Sequence, residues 1–103
     1  MAAWLTCANG QVCFYYNSNW ENAAYWTSPR AMNFTTQRFD GDGEWPGDGV
    51  LVKNNAASIW NTSTRTVRVF YNSNFVGVYD DCAPGAKRNL VNTKNDNASF
   101  NVL

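Results

Sequence analysis

The strongest constraint on this chain is a five-residue motif that occurs twice, each time after an apolar run. Residues 16–20 read Tyr-Asn-Ser-Asn-Trp, and residues 71–75 read Tyr-Asn-Ser-Asn-Phe. Asn and Ser are turn residues because their side chains bond to nearby backbone, and Asn also tolerates positive φ. The Val, Phe, Tyr and Trp residues around the motif favour strands. Each copy therefore predicts a β-hairpin, and the duplication predicts two copies of one supersecondary unit.

A second pair of similar segments follows the hairpins in the same order. Residues 54–59 read Asn-Asn-Ala-Ala-Ser-Ile, and residues 95–100 read Asn-Asp-Asn-Ala-Ser-Phe. Asn-rich turns are common, so this pair gains its weight from its position after the repeated hairpin. The chain is thus divided into unit one at about residues 11–60, a linker at 61–65 and unit two at about 66–103.

Short strands separated by turn residues fill both units, and no segment shows a helical period over about eleven residues. The 103 residues suit one domain, and five Trp, five Tyr and six Phe can fill its core. We expect an all-β Greek-key β-sandwich built from two internally repeated units, with Trp4 and Leu5 packing on a sheet. The predicted strands are residues 11–16, 22–28, 30–39 (irregular), 56–60, 66–71, 76–81, 87–91 and 98–103, and residues 50–53 are either a short buried strand or the approach to one.

Charge and composition exclude several functions. The chain has eight basic and eight acidic residues and no His. Catalysis by a Ser–His or Cys–His pair is therefore excluded, and no basic run suggests nucleic acid or a membrane as a partner. Asp80 and Asp81 are adjacent on a predicted strand, so their side chains point to opposite faces and cannot flank one glycosidic bond. We expect no enzymatic activity.

The three cysteines are better explained by a disulfide than by a metal. Zinc needs four ligands, and this chain has no His and only Cys82 besides Cys7 and Cys13. Cys7 and Cys13 enclose an Asn-Gly turn, and a bridge between them would stabilise the fold by about 2.4 kcal/mol. Such a bridge would indicate a secreted protein. Cys82 is then left over, either buried and inert or paired between molecules.

The spacing of the hairpin aromatics resembles that of the βγ-crystallins. Their folded hairpin has an aromatic, four residues, a second aromatic, one residue and Gly, and here the pattern reads Tyr15-x4-Trp20-x-Asn22 and Phe70-x4-Phe75-x-Gly77. The resemblance implies a βγ-crystallin-like fold in which the two aromatics pack across each hairpin. It also implies positive φ at Gly77 and at Asn22, since Asn is the next-best tolerated residue there.

The same resemblance implies calcium sites, each shared between the two units. Segments 54–59 and 95–100 are similar to the family's N/D-N/D-x-x-S/T-S loops, which bind calcium through carboxylate, hydroxyl and backbone oxygens. Only Asp96 would bring a negative charge, and the last positions are Ile59 and Phe100. We therefore expect no required cofactor and at most weak calcium binding, millimolar or worse. The candidate ligands are Asn54, Asn55, Ser58, Asn95, Asp96 and Ser99.

Most of the chain is also similar to bacterial secreted peptidase inhibitors that share this fold. The common features are Cys7-x5-Cys13 before an aromatic hairpin, Ser58-Ile-Trp60 leading into Thr66-Val-Arg-Val69, and Ala83-Pro-Gly-Ala86. The resemblance implies a secreted inhibitor of metalloproteinases whose partner is an extracellular peptidase, and we expect a monomer. The family prototype closes its reactive loop with a second disulfide, where this chain has Cys82 alone. The inhibitory surface would correspond to residues 72–82, with candidate contact residues Asn72, Ser73, Asn74, Asp80, Asp81 and Cys82.

Other interpretations stay open. The loop 40–49, rich in Gly and acidic residues, is either a solvated turn-rich insertion or a loop that binds a cation or a partner; its spacing excludes an EF-hand. Trp20, Trp26, Trp45 and Tyr25 are either core residues, which a small sandwich needs, or a carbohydrate platform. The alternative to an inhibitor is a non-enzymatic crystallin-like binding or structural module with weak or vestigial calcium sites.

Overall fold

The computed structural model describes residues 7–103, which form eight strands. Among these residues there is no helix long and apolar enough to cross a membrane. Trp4 and Leu5, which we expected to pack on a sheet, lie outside the described residues. The strands are β1 (Val12–Asn17), β2 (Glu21–Thr27), β3 (Met32–Asn33), β4 (Ser58–Asn61), β5 (Val67–Asn72), β6 (Val76–Cys82), β7 (Lys87–Asn89) and β8 (Ser99–Val102).

The strands form two antiparallel sheets of four strands each. Sheet one has the order β2-β1-β4-β7, and sheet two has the order β3-β8-β5-β6. Each sheet takes three neighbouring strands from one predicted unit and its last strand from the other. Strand β7 of unit two completes sheet one, and β3 of unit one completes sheet two. This arrangement confirms the predicted all-β Greek-key sandwich, and the exchange of edge strands ties the two units together.

The two hairpins share their irregularities, as the two-unit interpretation requires. The pairing of β1 with β2 shifts register between Tyr15 and Asn17, and that of β5 with β6 shifts between Phe70 and Asn72. The ring centroids of Phe70 and Phe75 lie 6.2 Å apart, so these aromatics pack across the second hairpin as expected. The division into two copies stays a prediction, which these matched contacts support.

The second residue of each return strand, β2 and β6, adopts the predicted left-handed conformation. Asn22 has φ of 70° and Gly77 has φ of 93°. The side-chain amide of Asn22 donates to Oδ1 of Asn17 at 2.6 Å. A Cβ at Gly77 would lie 2.5 Å from Nδ2 of Asn72, so this position favours Gly for space as well as for φ.

The main core lies between the two sheets. Phe14 of β1 points into it, with its ring centroid 5.3 Å from that of Phe34 and 5.1 Å from that of Phe100. The alternate residues Cys13 and Tyr15 face the other side of β1, and both are nevertheless fully buried. Strand β1 is therefore buried on both faces from Val12 to Tyr15.

A second, smaller cluster covers the outer face of sheet one. It contains the disulfide between Cys7 and Cys13, with a Cα–Cα distance of 6.0 Å, which confirms the predicted pairing. Tyr15 lies in the same cluster, and Trp20 and Trp60 pack against it. The bridge therefore contributes buried apolar contacts in addition to closing a loop.

The two Asn-rich loops bond to each other at the centre of the molecule. The backbone N–H of Asn54 donates to the carbonyl of Asn97 at 2.7 Å, and that of Asn95 donates to the carbonyl of Ala56 at 2.9 Å. The fully buried Asn97 amide donates to the carbonyls of Ala56 and Thr93, each at 2.8 Å, and accepts from the Ala56 N–H at 3.2 Å. Every polar atom of this side chain is thus satisfied within the loops.

The predicted strand at 30–39 is wrong in extent, and of the two alternatives for residues 50–53 the structure shows the approach to a strand. The strand expected at 30–39 is reduced to β3, and residues 50–53 form no strand. The two segments meet only through an isolated bridge between Arg38 and Leu51 and a few single hydrogen bonds, such as Val52 N–H to Gln37 O at 2.9 Å. The two segments therefore pair over too few residues to form a continuous set of strand hydrogen bonds.

Replacement of Asn97 by Ala tests the pairing of the loops. The Ala56 N–H would lose its partner while still buried, so we expect a loss of about 2–3 kcal/mol in the free energy of unfolding. Urea unfolding followed by tryptophan fluorescence measures this loss. The matched control is Asn55→Ala, whose amide bonds only to the nearby carbonyls of Leu51 and Lys53 and should cost about 1 kcal/mol or less. Equal losses in both variants would contradict a special role for Asn97.

Candidate functional site

The predicted inhibitory surface at 72–82 is divided by the structure into exposed and buried parts. Asn72 and Asn74 are exposed and Ser73 is half-buried in the hairpin loop between β5 and β6. Asp80 and Cys82 point into the molecule, with exposed fractions of 3% and 1%. The assignment of these last two residues to a contact surface is therefore wrong, because a peptidase could not reach them.

Asp80 holds the loop that follows β7. Three consecutive backbone N–H groups converge on its carboxylate, and Arg88 adds an ion pair at 3.2 Å. Burial by itself raises the pKa of Asp80, but the hydrogen bonds from Thr93, Asn92 and Val91 outweigh it, so the pKa lies below its ordinary value. The donor distances are 2.8 Å from Thr93 Oγ1, 2.9 Å from Thr93 N, 3.1 Å from Val91 N and 3.3 Å from Asn92 N.

These bonds also explain why β7 is shorter than predicted. It ends at Asn89, whereas the sequence favoured a strand to residue 91. Leu90 N–H still bonds to Ala57 O at 3.0 Å, but the next N–H groups turn towards Asp80. The buried carboxylate of Asp80, on β6 of the other sheet, thus overrides the local strand preference of Val91.

Asp81 lies on the opposite face of β6, as its adjacency to Asp80 predicts. Arg68 binds the Asp81 carboxylate with two parallel bonds, at 2.8 and 2.9 Å. The same guanidinium lies 3.9 Å from the ring centroid of Tyr79. Asp81 is therefore fixed within the sheet surface, and its charge is compensated locally.

Cys82 is the free cysteine of the described residues and is buried. Burial raises the pKa of its thiol to about 11, and the thiol lies 3.3 Å from the carbonyl of Ala86. A neutral, enclosed thiol is unreactive, since the thiolate is the nucleophile. This geometry favours the buried, inert interpretation over pairing between molecules.

Between the hairpin loop and these buried residues, the structure exposes residues 76–79, which lie within the predicted surface 72–82 but are not among its candidate contact residues. Val76, Val78 and Tyr79 have exposed fractions of 53%, 57% and 43%. The signal in the sequence was the run Val-Gly-Val-Tyr at 76–79, which has no charged residue although it belongs to an edge strand. Exposed apolar residues that cluster on one strand mark a candidate interaction surface.

The two serines predicted as calcium ligands close the hairpins instead. Ser58 Oγ donates to Asn17 O at 2.7 Å and accepts from the N–H of Trp20 at 3.0 Å. Ser99 Oγ donates to Asn72 O at 2.6 Å and accepts from the backbone N–H of Phe75 at 3.1 Å. Both serines are fully buried, and each hydroxyl links its hairpin by hydrogen bonds to the strand that closes the unit.

A pocket of about 270 Å³ gathers part of the predicted calcium set. It brings Asn54 and Asp96 together with the second hairpin, whereas Asn55 and Asn95 do not line it. The pocket holds one carboxylate, from Asp96, and one ammonium, from Lys53. Calcium takes six to eight oxygens and is bound tightly by several carboxylates, so this donor set does not fit a tight calcium site. The lining residues are Lys53, Asn54, Tyr71, Asn72, Ser73, Asp96 and Ala98.

Acidic side chains elsewhere do not form a metal centre either. Within residues 7–103, no group of three or more His, Cys, Asp or Glu residues could hold a metal ion. In the loop 40–49, Asp48 accepts from Gly41 N–H at 2.8 Å and Asp40 accepts from Asp42 N–H at 2.9 Å. These carboxylates stabilise the loop's own turns, which favours the interpretation as a folded insertion.

The four aromatics of the alternative carbohydrate platform do not share one surface. Tyr25 packs against the core between the sheets, whereas Trp26, the next residue of β2, points outwards and is 40% exposed. Trp20 packs on the disulfide cluster, and its indole N–H donates to Ile59 O at 3.1 Å. Trp45 lies in the loop 40–49 and is 38% exposed. The platform is therefore divided between different faces.

The family is decided by the sequence of the first four-fifths of the chain. Residues 1–82 match the model of peptidase inhibitor family I36. The chain belongs to peptidase inhibitor family I36. The matched part of this I36 protein ends with Cys82, the last residue of β6, and leaves out the segment that carries Asp96 and Ser99. No curated protein matches the chain.

The fold of the I36 protein is similar to that of βγ-crystallin domains. A βγ-crystallin domain from Clostridium beijerinckii has a TM-score of 0.64 at 18% identity, covering 88% of this chain and 94% of that domain. A domain of the Abundant Perithecial Protein from Neurospora crassa, in its Ca²⁺-bound form, has a TM-score of 0.66 at 12% identity, covering 95% and 93%. The N-terminal domain of protein S has a TM-score of 0.65 at 14% identity, covering 90% and 94%. These identities show the fold alone, and they confirm the predicted βγ-crystallin-like sandwich.

The anchoring role of Asp80 predicts a pH dependence of stability. Because its pKa is lower in the folded state than the value of about 3.9 in an unfolded chain, its contribution is present above about pH 4 and is lost as the pH falls through the folded pKa. We expect Asp80→Asn to lose about 2–3 kcal/mol in the free energy of unfolding at pH 7. The difference from wild type should shrink as the pH is lowered from about 4 towards 2.

Urea unfolding at a series of pH values measures both effects. Asp81→Asn is the control, since this carboxylate is partly exposed and its removal should cost about 1 kcal/mol or less. A difference between wild type and Asp80→Asn that stays constant from pH 7 to about 2 would show that Asp80 does not act through its charge.

Proposed function

We propose that the protein is a secreted, monomeric inhibitor of metalloproteinases. Membership of peptidase inhibitor family I36 carries this proposal, because it makes a peptidase the target and a non-enzymatic role the function. The metalloproteinase class comes from the resemblance to the secreted bacterial inhibitors. Secretion is supported by the Cys7–Cys13 disulfide, since such bridges persist in oxidising compartments.

The hairpin of unit two has the rigidity that an inhibitor needs. Asn74 N–H donates to Oδ1 of Asn33 at 2.7 Å, and the Asn33 amide donates back to Oδ1 of Asn74 at 3.2 Å. Ser99 closes the base of the same hairpin through its hydroxyl. A segment held in one conformation before binding loses less entropy in the complex, so more of its contact energy contributes to affinity.

Titration against peptidases tests the proposal. We expect stoichiometric loss of activity for a thermolysin-like metallopeptidase and no loss for a subtilisin-like serine peptidase, each followed with a small chromogenic substrate. The chain must also be recovered intact from the mixture, because a mere competing substrate would be cleaved. If micromolar excess leaves both peptidases fully active, the protein is not an inhibitor of either class; loss of the subtilisin-like activity alone would contradict the target class.

A crystallin-like module with a weak calcium site is the second candidate. The pocket that joins Asn54, Asp96 and the second hairpin supports it, because a calcium site in this fold would draw on both units. Lys53 weakens the case, since its ammonium places a positive charge at the same pocket. The module would bind at most one ion here, with millimolar affinity or worse.

Removal of the Lys53 charge tests this second candidate. Repulsion between a unit charge and a divalent ion about 6 Å apart in a water-like dielectric is about 1.4 kcal/mol, so Lys53→Gln should tighten calcium binding by about tenfold. Calorimetric titration with calcium chloride measures the change, and Lys53→Arg, which keeps the charge, should bind as wild type does. No heat from any of the three proteins would rule out the site, and micromolar binding by wild type would contradict its weakness.

A further inference from the structure

Strand β6 is a sheet edge that no other strand covers in the described part of the chain. It closes sheet two in the order β3-β8-β5-β6 and pairs only with β5. Near its end, the Asn92 amide donates to Tyr79 O at 3.0 Å, and the loop held by Asp80 lies beside it. The free edge is therefore short and comprises residues 76–78.

The protecting features of β6 lie at its two ends, in the register shift beside Asn72 and in the inward-pointing Asp80, and residues 76–79 between them carry no guarding side chain. Sheet edges are commonly guarded by Lys, Pro, an inward charge or a covering loop, because unpaired N–H and C=O groups invite another chain. Residues 76–79 contain none of these residue types, and Val76 and Val78 are more than half exposed. A stretch of edge that is apolar and exposed points to a partner that supplies both backbone hydrogen bonds and apolar contacts.

The charges next to the edge are neutralised within the protein. Arg68 compensates Asp81 on the outer face, and Arg88 compensates Asp80 on the inner face. Residues 76–79 therefore present an uncharged surface although two carboxylates follow directly. The complementary partner is an uncharged, apolar groove rather than a charged one.

The edge is also held in its extended conformation before any partner arrives. The Phe70 ring lies 6.2 Å from that of Phe75 and 6.0 Å from that of Tyr79, measured between centroids. Gly77 fits closely over the Asn72 side chain, and the loop is clamped through Asn74. Binding at this edge would need little further ordering.

We propose that residues 76–79 of β6 are the segment that the target peptidase binds, as a strand added to the edge of its substrate cleft. This inference rests on the proposed inhibitor function. Peptidase clefts bind extended chain by backbone hydrogen bonds and receive alternate side chains in pockets, which matches an open edge bearing Val76 and Val78. The match to family I36 runs through the whole of β6 and ends there. The occupant is a peptidase rather than a second copy of the chain, because membership of family I36 supplies a peptidase as the partner.

A charged substitution at Val78 tests the assignment. Val78→Asp would place a carboxylate in the apolar groove of the peptidase, and we expect the inhibition constant to rise by at least thirtyfold. Since Val78 is 57% exposed, the variant should keep the wild-type melting curve by circular dichroism. The matched control is Leu103→Asp, at a residue of similar exposure (54%) outside β6, which should inhibit within threefold of wild type.

Amide hydrogen exchange gives an independent readout that does not depend on a substitution. In the complex, the amides of residues 76–78 should be protected relative to the free inhibitor, while those of the loop 40–49 should be unchanged. If wild type inhibits and Val78→Asp inhibits equally well, this inference is overturned and the proposed function stands. If wild type inhibits no peptidase, the proposed function fails and the inference fails with it. A dimer in size-exclusion chromatography that dissociates in Val78→Asp would assign the edge to a second copy and overturn the inference.

Discussion

The reciprocal bonding of the two Asn-rich loops is the contact on which the rest of the structure depends. Each loop leads directly into a strand that pairs with the exchanged edge strand of its sheet, β4 in sheet one and β8 in sheet two. The Asn54–Asn97 and Asn95–Ala56 backbone bonds hold these strands at a fixed separation, and the Asn97 amide fills the buried space between them. Since β7 pairs with β4 and β3 pairs with β8, the exchange of edge strands depends on the same geometry.

The two units have similar strands and hairpins, but different residues cover them. In unit one, the disulfide cluster covers the outer face of sheet one, and Nζ of Lys87 in β7 lies 3.9 Å from the ring centroid of Trp60. The loop 40–49 packs on Tyr16 at Gly47. In unit two, Tyr71, at the position equivalent to Tyr16, is 45% exposed, and β6 has no strand over its free edge within the described residues. Exposed large apolar side chains are thus more numerous in the second half than in the first.

Local features were predictable from the sequence, whereas features set by partners distant in sequence were not. The hairpins and the Cys7–Cys13 bridge follow from turn chemistry and short spacing, and the left-handed Asn22 follows from the resemblance to the βγ-crystallin hairpin. Adjacent Asp80 and Asp81 had to face opposite sides, but which of them is buried depends on the register between β5 and β6. Likewise, Ser58 and Ser99 fit a ligand motif in sequence. Only the folded hairpins show that their hydroxyls donate hydrogen bonds to hairpin carbonyls.

Local compensation of charge is common to the pocket at Asp96 and to the edge of β6. Lys53 and Asp96 share one pocket, and Arg68 and Arg88 neutralise the two carboxylates near the end of β6. The chain as a whole has equal numbers of basic and acidic residues, so it projects little long-range field. Such a surface exerts little long-range attraction on a divalent cation or a charged cleft, and under the proposal above the partner is selected by shape, apolar contact and backbone pairing. That is the mode of recognition expected of an inhibitor whose contact is a rigid, uncharged strand edge.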